Sequence, residues 1–184
     1  MFNERKVAQM AAFLIDKEGG TMSHLKLMKL LYLSDREAME RYGFPMSGDC
    51  IVAMTHGPVL SRTLDLMDGN VESSPDGWDS LISAKANHEL SLNASVAPMD
   101  LDELSQADLE VLEAVWVGFG FMGKYQIRDY THDSCPEWID PHGSSNPIHY
   151  ESVFRALGRS PDVAAKLSAR IEEERALDKI FASL

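Results

Sequence analysis

Apolar positions recur at helical spacing through most of the chain. Val7, Met10, Ala11 and Leu14 predict a first helix over 4–17, with Asn3 as its N-cap and Gly19-Gly20 as its stop. The densest apolar run follows. Leu27, Leu30, Leu31, Ser34 and Ala38 form one stripe, and Met28, Tyr32, Asp35 and Met39 the neighbouring one. So wide an apolar face predicts a central helix over about 24–42, capped by Ser23, ended by Gly43 and contacted from more than one side. Lys26, Lys29, Arg36 and Glu40 fall on the opposite side and read as a small basic strip on a solvated face.

Beyond this helix the period changes. Residues 50–55, with Ile51 and Val52, predict a strand, and Gly57-Pro58 predicts its end and the start of another helix carrying Leu60, Thr63, Leu64 and Met67. Residues 81–92 alternate on both sides of Asn87-His88, which predicts a β-hairpin pairing with the 50–55 strand. Helical spacing returns with Leu109, Leu112, Val115, Trp116 and Phe119 behind a capping-box-like Ser105-x-x-Asp108. A short helix over 124–132, an irregular loop to Pro147, a helix from Asn146-Pro147 to Gly158 and a last helix over 161–183 complete the chain. In the last helix Val163, Leu167, Ile171 and Ile180 mark the buried stripe, and residues 172–175 a solvated face. The expected fold class is α+β and predominantly helical, a compact helical domain around the 24–42 helix with a small antiparallel sheet from strand 50–55 and hairpin 81–92. Residues 1–158 are expected to form one domain and 159–184 a helical extension packed on or beside it.

Charge sharpens this picture. The 184 residues carry a net −12, and residues 64–114 hold twelve acids against one base, Lys85, which accounts for −11. Such a surface repels a phosphate backbone and accelerates encounter with a basic protein surface, so no direct nucleic-acid binding is expected. No apolar stretch is long enough to span a bilayer, and the N-terminus enters an amphipathic helix instead of a signal-peptide core, which leads us to expect no membrane association and a cytoplasmic location. Cys50 and Cys135 fit two reduced thiols.

Candidate chemistry concentrates in one loop. His132, Asp133, Cys135, His142 and His149 are metal-ligand or nucleophile types, but their spacing matches no standard zinc pattern. Cys135 sits among acids, which raise a thiol's pKa. A metal- or thiol-dependent enzyme using His132, Asp133, Cys135 and His142 stays open as the alternative class. The glycines at 118, 120 and 123 have no strand before them and read as a helix terminator, not a phosphate cradle. Tyr32, Trp78 and Trp138 fit core aromatics or partner-binding anchors.

Several motifs then fall in order. Lys29-Leu-Leu-Tyr-Leu-Ser-Asp-Arg36, Tyr42-Gly-Phe-Pro-Met-Ser-Gly-Asp49 and Val52-Ala-Met-Thr-His-Gly-Pro-Val59 are followed by Leu104-Ser-x-x-Asp108 and by Tyr130-Thr-His-Asp133 with Trp138 downstream. Together they resemble the Panacea domain, the family of SocA-like antitoxins and GepA-type phage-associated proteins, over about residues 20–157. The resemblance implies a cytoplasmic antitoxin, not an enzyme, that needs no cofactor or metal and neutralises a cognate toxin by direct binding. In the SocA case it also implies a protease partner of the ClpXP type, to which the toxin is delivered. On this resemblance and the charge map, a basic toxin surface is the expected partner. The candidate partner-binding residues are Lys26, Lys29, Arg36, His56, Gly57, Pro58, His132, Asp133 and Trp138. The oligomeric state is left open.

Overall fold

The fold is described from a computed structural model, for residues 2–97 and 100–181. Helix α1 (Glu4–Glu18) begins where Asn3 accepts the Lys6 N–H and ends at Gly19 in the left-handed region. A short strand β1 (Thr21–Ser23) leads into α2 (His24–Tyr42). Strands β2 (Ile51–Met54) and β3 (Gly57–Leu60) precede α3 (Ser61–Asp68) and the single turn α4 (Trp78–Leu81). Strand β4 (Glu89–Ser91), α5 (Gln106–Phe119), α6 (Lys124–Ser134), β5 (Asn146–Pro147), α7 (Tyr150–Ala156) and α8 (Pro161–Phe181) complete the order.

Helix α2 is the hub. It touches α1, α5, α6 and α7 together with β1 and β3, which is why Leu27, Leu30, Leu31, Tyr32, Ala38 and Met39 are all fully buried. Helix α1 is buried almost as deeply, through Val7, Ala8, Met10, Ala11, Leu14 and Ile15. The capping box of α5 forms as its sequence predicts, with Ser105 and Asp108 satisfying each other's backbone N–H groups. The class is α+β and mainly helical, with small antiparallel sheets.

The sheets differ from the predicted pairing. The 81–92 segment does turn at Asn87-His88, both at positive φ, but only Glu89–Ser91 extends, and it pairs with β1, not with β2. Strand β2 lies instead between β3 and β5. Gly57-Pro58 therefore opens an edge strand, not a helix. The ambiguity is physical: the fixed φ of proline suits a helix's first turn and an edge strand equally, where its missing N–H costs nothing. Pro147 resolves the same way. It belongs to edge strand β5, and the helix predicted from Asn146 begins only at Tyr150. The start of α3 is held by Asp49, which accepts from the backbone N–H groups of Arg62 and Thr63 and from the Thr63 hydroxyl. Ser23, predicted to cap α2, makes no side-chain cap; its buried Oγ has no hydrogen-bond partner.

Helix α8 packs through Ala164, Ser168 and Ile171, while Val163 and Ile180 of the predicted buried stripe are exposed. Residue 183, the predicted end of this helix, lies outside the described residues. Arg175, placed by sequence on a solvated face, donates to the carbonyls of Gly48 and Asp49 at 2.6 Å and lies over the Tyr150 ring.

Candidate partner-binding site

Lys26, Lys29 and Arg36 of α2 do not form an exposed strip. Lys29 is fully buried, and its ammonium donates to the Pro58 carbonyl at 2.7 Å. Lys26 pairs with Glu18 at 2.7 Å and donates to the Gly120 carbonyl at the end of α5. Arg36 pairs with the buried Glu137 at 2.7 Å, and the Tyr32 hydroxyl donates to the same carboxylate oxygen. Helical spacing thus places a polar row inside the protein, each member holding a different segment against α2. The acceptors lie outside α2, most of them far away in sequence, so the wheel of α2 alone could not reveal them. Asp35, read with Arg36 as a tie to a neighbour, is a separate tie: it accepts from the backbone and hydroxyl of Ser47.

Burial sets the protonation of this row. It pushes the Lys29 amine down to about 7 and the Asp35 carboxyl up to about 6, the latter against the opposing Ser47 hydrogen bonds. Burial opposes the charge on Arg36, but the hydrogen bond and charge of Glu137 hold it above its ordinary range. The Tyr32 phenol is pushed up by burial, then by nearby Cys135 and Glu137.

Around Lys29 most of the predicted site residues do converge. The β2–β3 hairpin brings His56, Gly57 and Pro58 against α2 and α6. Gly57 sits at φ +98°, and a Cβ there would lie 2.9 Å from both Lys29 Nζ and Thr131 Oγ1 and 3.2 Å from the His132 ring. Only glycine fits both that backbone and that space. Trp138 Nε1 donates to the Met54 carbonyl at 3.0 Å, and its ring stacks on His132 with centroids 4.0 Å apart and planes 4° from parallel. Lys29 and Trp138 therefore grip the hairpin on either side of its tip, which leaves His56 exposed. Burial, then the charges of Lys29 and Arg128, hold the His132 ring below the usual imidazole range, and its buried Nε2 has no hydrogen-bond partner. Lys26 and Arg36 lie outside this cluster on their own partners, and Asp133 is exposed at the end of α6.

The His/Cys loop does not assemble a reactive centre. Cys135 is fully buried, and burial, reinforced by Glu137, pushes its thiol up to about 11, the opposite of an activated nucleophile. The His142 side chain is 90% exposed. Among the described residues no group of three or more His, Cys, Asp and Glu is placed to hold a metal ion.

Two cavities flank the hairpin tip and share His24, Leu25 and His56. One, of about 370 Å³, is mainly apolar, with Met28, Met54, Val59 and Leu64 beside Lys29 and Asp68. The other, of about 440 Å³, is lined by Ser23, His24, Leu25, His56, His88, Lys124, Tyr125 and Arg128. The sequence reading missed His24, His88, Lys124, Tyr125 and Arg128. Their signal was local: two bases and an exposed tyrosine open a helix in an otherwise acidic chain.

Apart from the half-buried Asp65, which accepts from Asn70, the acids of 64–114 divide in two. Asp102 and Glu103 pair with Arg5, Asp108 with Lys6, Glu113 with Lys17 and Asp68 with Lys85, so the bases of α1 neutralise much of the segment internally. Glu72, Asp76, Asp79, Glu89, Asp100 and Glu110 are exposed and have no ion partner among the described residues.

Among the described residues no helix is long and apolar enough to cross a membrane. A family model described as antitoxin SocA-like, Panacea domain, matches residues 27–139, from the first turn of α2 to just past Trp138. No curated protein and no solved structure matches the chain.

Proposed function

The chain belongs to the SocA-like antitoxin family that carries the Panacea domain, and on that premise we propose that it neutralises a partner toxin by binding it directly. The supporting observation is that the matched stretch includes the residues that meet at the hairpin tip: Lys29, His56, Gly57, Pro58, Thr131, His132 and Trp138. This site is a binding face and not a catalytic one. Its lysine is committed to a carbonyl, its histidine to a ring stack, and the nearby thiol is buried. The exposed acids outside the internal ion pairs steer the encounter with a basic toxin surface in the cytoplasm, as complementary potentials do in general.

The experiment is co-expression in bacteria with the product of the reading frame next to its own gene. Growth arrest by that product alone, rescue by this chain and recovery of both in one complex are expected. A toxic product that this chain neither rescues nor binds would overturn the reading. Measuring the toxin's half-life with and without a ClpXP-type protease in the same strains separates simple sequestration, which leaves it unchanged, from adaptor-mediated degradation, which shortens it.

A further inference from the structure

The groove beside the hairpin tip is lined by bases and no acid in a chain of net charge −12. Three other cavities carry acids in excess: Glu4, Asp65 and Glu72 with Arg62 in one, Asp16, Glu110 and Glu113 in another, Asp76 and Asp100 with Arg5 in a third. No carboxylate lines the groove of His24, His56, His88, Lys124, Tyr125 and Arg128. Lys124 has no ion pair among the described residues. Arg128 spends Nε and Nη2 on one oxygen of Asp129, and its Nη1 has no hydrogen bond among the described residues. Both cations lie over the Tyr125 ring, at 5.3 and 5.1 Å from its centroid, and that ring is 58% exposed. His24 and His88 stack at 5.5 Å and add a second flat wall. The corner leading into α6 also exposes Val117 and Phe121.

We propose that this groove binds an acidic peptide segment with an apolar or aromatic anchor, carried by the partner toxin. Carboxylates of the segment meet Lys124 and the open edge of Arg128, and its apolar side chain packs between Tyr125 and the histidine pair. A volume of about 440 Å³ is in the range that holds a few side chains. A peptide fits better than a nucleic acid because a phosphate chain leaving the groove would run onto a protein of net charge −12. The partner then carries both signs, a basic body facing the exposed acids and an acidic segment held beside the hairpin. This inference rests on the toxin-binding reading and names the chemistry that the partner presents.

The test uses fluorescence anisotropy with the full chain and three fluorescein-labelled probes: a short peptide of alternating Asp and Phe, its Lys/Phe counterpart, and an oligothymidylate. Saturable binding of the Asp/Phe peptide alone is expected. Lys124→Glu should weaken it at least about tenfold, and Lys124→Glu with Arg128→Glu further, with the thermal unfolding of Lys124→Glu unchanged. Equal binding by Lys124→Glu, preference for the Lys/Phe peptide, groove-dependent binding of the oligothymidylate, or no saturable peptide binding would each overturn the inference. Toxin rescue by Lys124→Glu distinguishes the levels. Full rescue with no peptide binding sinks the inference and leaves the toxin-binding reading intact, whereas failure of the unmodified chain to rescue sinks that reading.

Discussion

Lys26, Lys29 and Arg36 of α2 and Lys124 and Arg128 of α6 look alike as text and have different fates. Lys26, Lys29 and Arg36 sit in the most apolar run of the chain and are inside it, each committed to an acceptor on a distant segment. Lys124 and Arg128 open a less apolar helix and lie over one tyrosine ring at the surface, Lys124 exposed and Arg128 half-buried with part of its guanidinium on Asp129. The difference lies in what each row meets. A buried cation persists only where acceptors satisfy it, and it then fixes the segments that supply them. An exposed cation costs little to keep and remains available to a partner. The α2 row is architecture, and the α6 pair belongs to the surface we propose for recognition.

The comparison breaks most visibly at Glu137. Glu137→Ala leaves the Arg36 guanidinium and the Tyr32 hydroxyl without their shared acceptor, and denaturant unfolding should show a loss of about 3–5 kcal/mol. A loss below about 1 kcal/mol would mean that the row is not structural. Gly57→Ala comes next. It forces a side chain into a left-handed backbone against Lys29 and Thr131, and a loss of roughly 1–3 kcal/mol is expected in the same assay.

A subtler effect appears in the pH dependence. The folded Lys29 amine titrates at about 7, below its ordinary value of 10.5, so the folded state holds fewer protons than the unfolded state between those values. Stability should therefore rise with pH from about 7 towards 10.5 and show no Lys29 contribution to the slope well below 7. Lys29→Met should remove that rise, and an unchanged slope in the variant would show the amine to be solvated. Asp35 has the opposite consequence. Its folded carboxyl titrates at about 6, above 3.8, so its contribution to stability falls as pH rises from 3.8 to 6, and Asp35→Asn should flatten that window. The smallest effect is at the surface: Lys124→Ala should change stability by no more than about 0.5 kcal/mol.

The helices were legible in the sequence because their signals are local. Asn3, Gly19, Gly43, Ser105 and Asp108 mark helix ends through bonds made within a few residues. The sheets were not, since Gly57-Pro58 and Asn146-Pro147 suit two local conformations and only pairing with β2 decides between them. Likewise, periodicity placed Lys29 on a polar side, yet its acceptor belongs to Pro58. The motif order did point to His56, Gly57, Pro58, His132 and Trp138, and these meet around Lys29. It did not point to the neighbouring groove, whose walls come from the starts of α2 and α6, the hairpin tip and the turn at His88.

The most direct test is a calorimetric titration of the product of the adjoining reading frame into the unmodified chain and into Lys124→Glu at the same ionic strength. Saturable binding to the unmodified chain, weakened at least about tenfold by Lys124→Glu, is the expected result. Equal affinity for both proteins would contradict the division between buried and exposed cations, and no binding to either would contradict the antitoxin reading itself.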